Sequence, residues 1–220
     1  EEKIRLANDK LALMTEVTYQ DIQNKVTAVR GIAELSRRPK SEEELEALAR
    51  RAMETLETIH TLIDKTKDYQ QMGLDKSRWI LLEETIRTQF SYISGKNSVA
   101  LHCDLHGLAI YADPLIDHVF YNLMHNAIRH GKTTTKITFS SAETSDGLIL
   151  TCEDNGAGIS PEQKKYLFER IVGGAGKFGL FFVREFLFLS GMTIRETGTP
   201  GSGARFEIAI PKGLYRFAAQ

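Results

Sequence analysis

The sequence predicts an α+β protein in two parts: an all-helical first third, then a mixed sheet with helices on one face. Three observations lead there. Residues 1–72 hold one glycine, Gly31, and residues 73–220 hold sixteen. All eleven phenylalanines fall at Phe90 or later. Apolar residues recur every three to four positions in the first third, and shorter strand-like and helix-like stretches alternate after it. The natural boundary lies at Gln71-Met72-Gly73 and gives units of 1–72 and 73–220.

In the first unit, Leu11, Met14, Thr18, Ile22, Val26, Val29, Ala33 and Leu35 form one apolar stripe on a helix. Arg38-Pro39-Lys40 stops it, and Ser41 with Glu44 forms a capping box that opens the next helix. Leu45, Leu48, Ala52, Leu56, Ile59, Ile63 and Thr66 carry the stripe on to about Tyr69. Two antiparallel helices with one stripe each cannot enclose a core. The expectation is a hairpin that a second copy closes into a four-helix bundle, the rival being a monomeric hairpin packed on the second unit.

The second unit is read as a helix near 82–92, short strands near 98–104 and 108–111, and a helix over 114–130. Strands at 134–142 and 147–153 follow, then helices at 161–168 and 179–190. Strands at 192–197 and 204–210 close the chain around a glycine turn at 198–203.

Charge and composition exclude several classes. The 220 residues are 42% hydrophobic and 26% charged, with a formal net charge of −1. This removes the main electrostatic argument for a nucleic-acid partner. No uncharged apolar run approaches the ~18 residues of a membrane span, so no membrane contact is expected. The opening Glu1-Glu2-Lys3 has no signal-peptide pattern. Two cysteines, Cys103 and Cys152, suit a reducing cytoplasm without a disulfide framework.

Three segments carry candidate chemistry. On the helix from Pro114, Ile116, Val119, Phe120, Leu123 and Ala127 form a buried face. Asn122 and Asn126 stand one turn apart on another face, with His130 a turn further on. Each Asn costs a helix about 0.5 kcal/mol against Ala, which favours polar ligand contacts over a mere solvated face. Amide oxygens suit a hard cation such as magnesium, and Arg129 and His130 would add positive charge near phosphates.

Next, Asp154-Asn155-Gly156-Ala157-Gly158-Ile159 follows an apolar strand. Its glycines would let a ligand approach the backbone, and its carboxylate can accept a bond from an amino group such as that of adenine. The alternative there is a tight turn. Third, Gly173-Gly174-Ala175-Gly176-Lys177-Phe178-Gly179-Leu180 runs into a helix and could cradle phosphate. Phe168-Glu169-Arg170 precedes it, and Gly198-Thr199-Pro200-Gly201-Ser202-Gly203 follows.

Taken in order, "NLMHNAIRHG", "EDNGAGI" and "FGLFFVREFL" resemble the N box and the two glycine boxes of the ATP-binding domain of sensor histidine kinases. That domain belongs to a superfamily shared with type II topoisomerases, mismatch-repair ATPases and a heat-shock chaperone. The resemblance covers about residues 75–212 and implies an α/β sandwich that binds ATP with Mg²⁺. It also implies that Asn122 and Asn126 hold the ion and phosphates with Arg129 and His130 nearby. Asp154 would read adenine, and Gly156, Gly158, Ile159, Phe168, Gly176, Gly179 and Leu180 would line the nucleotide.

The hairpin is similar to the dimerisation and phosphotransfer domain of the same kinases, which implies a homodimer and a response regulator receiver domain as partner. Thr18 to Val26 resembles the phosphoacceptor motif, with Asp21 as the acid that helps the acceptor and Asn24 as the residue that orients water for dephosphorylation. The acceptor histidine, however, is replaced by Gln20. The expectation is a kinase core with an inactive acceptor. The alternative is a natural pseudokinase acting as an ATP-binding scaffold or a regulator phosphatase.

Two smaller departures are Lys177, where the lid loop usually has glycine, and Ala204-Arg205, where a Thr pair is common. His60, on the flank of the second stripe, is read as structural. An anti-sigma-type kinase is a weaker rival, disfavoured by the two-helix unit and by "QDIQN".

Overall fold

The computed structural model describes residue 19 and residues 22–38, 41–71, 76–93, 95, 98–169 and 178–218. Gln20, Asp21, Gly176 and Lys177 lie outside the described residues, as does the stripe from Leu11 to Thr18. The described residues fall into two units, one of helices up to Gln71 and one beginning after it.

In the first unit, residues 22–36 are helical (α1) and Glu42–Gln71 forms α2. The capping box is made: the Glu44 amide donates to Ser41 Oγ at 3.3 Å, and the Ser41 amide to Glu44 Oε2 at 3.1 Å. Much of the apolar stripe remains exposed in a single chain, including Val26, Leu35, Leu45, Leu56 and Ile63.

The second unit runs β1 (Arg78–Leu81), α3 (Leu82–Ser91), β2 (Ala100–Asp104), β3 (Leu108–Ala112), α4 (Ile116–His130), β4 (Lys136–Glu143) and β5 (Gly147–Asp154). It continues with α5 (Pro161–Lys165), α6 (Phe178–Leu189), β6 (Thr193–Glu196), β7 (Arg205–Pro211) and β8 (Tyr215–Phe217). The main sheet has the order β2-β4-β5-β7-β6, with β2 parallel to β4 and the other pairs antiparallel.

Alternation places Ile137, Phe139, Leu148, Leu150, Cys152, Phe206, Ile208 and Ile210 on one buried face. There Phe139 meets Phe120 of α4 edge to face, with ring centroids 6.0 Å apart. Phe139 is fully buried, so Phe139→Ala is expected to cost about 3–5 kcal/mol of stability, read from a urea unfolding midpoint. Cys103 and Cys152 are both free. Each pairs with Phe139 from opposite sides of β4, a separation of about 10 Å across two strand spacings that no disulfide bridges.

One expectation is corrected. The strands near 98–104 and 108–111 do not share a sheet. His106 and Gly107 take φ of 47° and 73°, and this left-handed turn sends β3 into a separate antiparallel sheet of order β1-β3-β8. Strands β1 and β8 were not foreseen. They hold a small surface cluster in which Trp79 faces Tyr111 at 5.5 Å and Arg216 lies over Trp79 at 4.3 Å. The helix expected at 161–168 ends at Lys165.

Candidate functional site

Helix α4 organises the site because both its halves touch a glycine segment. Its buried residues, Ile116, Val119, Phe120, Leu123, Met124 and Ala127, form the stripe that seats it on the sheet. That stripe leaves Asn122 and Asn126 half-buried along one edge. Asn122 is locked on its own helix: Nδ2 donates to the His118 carbonyl at 2.7 Å. Its Oδ1 faces the start of α6, where a Cβ on Gly179 would lie 2.6 Å from it. The structure thus brings Asn122 and Gly179 together, and only the absence of a side chain at 179 permits it. Among the described residues none pairs with the Asn126 side chain, so its amide is available to a ligand.

At the other end of α4, the chain turns at Gly131. Thr134 Oγ1 donates back to the Ala127 carbonyl at 2.8 Å, and the Ala157 amide donates to the Gly131 carbonyl at 3.0 Å. Gly156 fits against this turn: a Cβ there would meet Thr134 Oγ1 at 2.5 Å and the Gly131 carbonyl at 2.6 Å. Its lack of a side chain therefore serves packing within the protein, where the sequence suggested room for a ligand. Arg129 and His130 are exposed at this end of α4, away from Gly179. Partial burial, with a smaller contribution from the Arg129 charge, holds the His130 imidazole below its ordinary pKa.

Asp154 ends β5 and is 7% exposed. Its Oδ1 accepts the Gly156 amide at 2.8 Å, and its own amide donates to the Ala204 carbonyl at 3.0 Å. Burial raises its pKa. Backbone hydrogen bonding of the carboxylate by Gly156 and Ala204 opposes that shift, and the Glu153 and Glu196 charges add to it.

The segment after Asp154 is held from both sides. Asn155 Oδ1 accepts the Thr135 and Lys136 amides, both at 2.9 Å, and its Nδ2 donates to Thr135 Oγ1 at 2.8 Å. On the other side, the Gly201 amide donates to the Ala157 carbonyl at 2.9 Å. Gly158, at φ 71°, lies where a Cβ would come within 2.9 Å of the Gly203 carbonyl. Ile159 and Leu180 are half-buried, and Phe168 meets Phe206 edge to face at 6.3 Å.

Sequence reasoning assigns no role of their own to Asn155, Thr134, Lys164 and Glu196. The Asn155 clamp joins positions 20 residues apart, and nothing local announces such a contact. Ala204 is buried beside Asp154, whereas Arg205 points outward to Glu207 at 3.2 Å and Glu153 at 3.6 Å. Asn24 is exposed on α1, and so is His60 on α2. Among the described residues no group of three or more His, Cys, Asp or Glu side chains could hold a metal, and no helix is long and apolar enough to cross a membrane.

Residues 112–214 match the family described as histidine kinase-, DNA gyrase B-, and HSP90-like ATPase. The chain is 32% identical over 183 residues to the sensor histidine kinase TmoS of Ectopseudomonas mendocina, covering 76% of this chain and 19% of TmoS. It is 24% identical over 234 residues to the sensor protein KdpD of Escherichia coli (strain K12), covering 96% of this chain and 26% of KdpD. It thus spans only 19% and 26% of the length of these relatives. Among solved structures, the Acinetobacter baumannii histidine kinase AdeS superposes with a TM-score of 0.63 at 20% identity, covering 87% of this chain and 96% of that one, a likeness of fold. Residues 112–214 thus carry an ATPase-type domain of that family, and the sensor-kinase relatives support a two-component sensor histidine kinase catalytic core.

Proposed function

We propose that the second unit binds ATP along α4, with the purine at Asp154 and the phosphates toward Gly179, and that the first unit presents the phosphoacceptor position at residue 20. The observation that carries this reading is the buried Asp154 carboxylate, fixed by Gly156 at one end of α4, with the Asn126 amide, which has no partner among the described residues, five residues back from Gly131. Asp154 accepts from the exocyclic amino group of adenine. Magnesium fits as an ion held by few protein atoms, because the side chains on offer are neutral amides and substrate phosphates complete such a shell. Asn126 holds it, with Asn122 oriented beside it. The bound ion would offset charge on the phosphates. A homodimer closes the exposed stripes of α1 and α2 into a four-helix bundle, and a response regulator receiver domain docks beside position 20.

As the chain stands, Gln20 blocks phosphoryl transfer. The chain is then an ATP-binding core that forms no phosphohistidine. Dephosphorylation of the regulator remains open to it, since the exposed Asn24 can orient water without an acceptor imidazole.

Calorimetry tests the nucleotide site. Asp154→Asn exchanges a charged acceptor for an amide. It is expected to lose about 1.5–3 kcal/mol of binding, a roughly tenfold to hundredfold weaker ATP affinity. Stability should move the other way. The folded pKa of Asp154 lies above the unfolded one, so the native state binds the proton more tightly and stability falls as pH rises between the two values. At neutral pH the ionised carboxylate is therefore a cost to the fold, and the Asn variant should melt no lower than the parent chain. Unchanged ATP affinity in that variant overturns the assignment.

A further inference from the structure

A buried ion pair, Lys164 with Glu196, stands beside the site. Glu196, at the end of β6, has a side chain only 2% exposed. Its Oε1 accepts the Gly198 amide at 3.0 Å and the Arg205 amide at 3.3 Å. Its Oε2 takes the Lys164 ammonium of α5 at 2.6 Å and, among the described residues, no other partner. Lys164 Nζ also donates to the Gly198 carbonyl. The pair therefore holds Gly198 by both its amide and its carbonyl, one in each flanking peptide group, and ties α5 to the foot of the 198–203 turn. That turn in turn reaches the purine end of the site: Gly201 bonds Ala157, and Gly203 packs on the Asp154 carbonyl with no room for a Cβ.

Burying a carboxylate this deeply is costly unless a counter-charge and hydrogen bonds compensate it. A stable fold does not demand it, because an apolar residue would fill the same place on the sheet. What the pair supplies is a fixed position for the two peptide groups that flank Gly198.

We propose that Lys164 and Glu196 are positioning residues for nucleotide binding: by holding Gly198 they set the 198–203 turn against the Asp154 loop before the purine arrives. The inference rests on the reading of Asp154 as the purine site. Neither residue touches the nucleotide.

The test uses the full chain and the double variant Lys164→Met/Glu196→Gln. Removing both charges leaves no uncompensated ion, and Gln keeps an oxygen for the Gly198 and Arg205 amides. The variant is expected to melt close to the parent chain while binding ATP, ADP and adenosine each about tenfold more weakly, the same factor for all three because the turn lies at the purine end. Lys164→Arg, which keeps the charge, should return affinity to within about threefold of the parent. A folded double variant with parental affinity overturns the proposal, as does a loss confined to ATP. If the parent chain itself binds no nucleotide, the reading of Asp154 fails first. A measurement without any variant stands beside these. Amide hydrogen exchange in the nucleotide-free parent chain should show Gly198 and Gly201 already protected, and rapid exchange there overturns the preset turn.

Discussion

Gln20→His is expected to turn a chain that takes no label from γ-labelled ATP into one that labels itself. The amide of Gln20 has no nucleophilic nitrogen, because its lone pair is drawn into the carbonyl by resonance. An imidazole nitrogen can attack the γ-phosphorus in line, breaking the bond to the bridging oxygen and releasing ADP. The product is a phosphoramidate, so the label should be lost in acid and survive alkali.

In the proposed function Asp21, next in sequence, assists the imidazole as a base. Asp21→Asn on the Gln20→His background should slow labelling by about 10²-fold, the lower end for general base assistance. The exchange at position 20 is polar for polar, next to the exposed Tyr19, and should change stability by no more than about 0.5 kcal/mol. If ATP binds and Gln20→His stays unlabelled, residue 20 is not the acceptor position or the loop around Lys177 disables transfer. Label on the parent chain would point to His60.

Gly203→Ala should abolish high-affinity ATP binding. Gly203 has φ of 96°, and a Cβ there would lie 1.8 Å from the Asp154 carbonyl oxygen and 2.8 Å from its carbon. Both are backbone atoms of the strand that presents the carboxylate, so relief requires the turn or the end of β5 to move. An affinity loss of more than a hundredfold is expected by calorimetry, with a lower melting temperature. Gly201→Ala is the matched control. Its φ is 84°, but a Cβ there meets nothing within 4 Å. Its cost is the left-handed backbone alone, about 1–2 kcal/mol, and ATP affinity should stay within a few fold of the parent. Equal losses in the two variants would mean that backbone strain, and not the contact on Asp154, governs the site.

The elements legible in the sequence were those whose period runs long enough to be read. The stripe from Ile116 to Ala127 marks α4, and the alternations of β4, β5 and β7 mark a half-buried sheet. Strands β1 and β8 escaped because they have four and three residues, too few for a period. The division into two sheets is not legible, because nothing local says that the left-handed step at His106 and Gly107 carries β3 out of the main sheet. Asp154, Gly156 and Gly158 stood out as a motif, but their division of labour did not. Gly156 is small to admit Thr134 and the Gly131 peptide, a contact between segments 22 residues apart. Lys164 and Glu196 were two ordinary charges until the fold put them 2.6 Å apart.

The attachment of both glycine segments to α4 makes that helix a ruler. From Asn122 at Gly179 to Gly131 at Gly156 there are nine residues, about 13 Å of helix at 1.5 Å per residue. No hinge lies between the two marks. One residue inserted between them would add that increment and rotate everything beyond it by about 100°, swinging Gly131 out from under Gly156 while Asn122 stayed in place. Length changes at 144–146, between β4 and β5, have no such lever. Insertional scanning should therefore find the interval 122–131 the least tolerant stretch of the domain, even where the residue added is an ideal helix former.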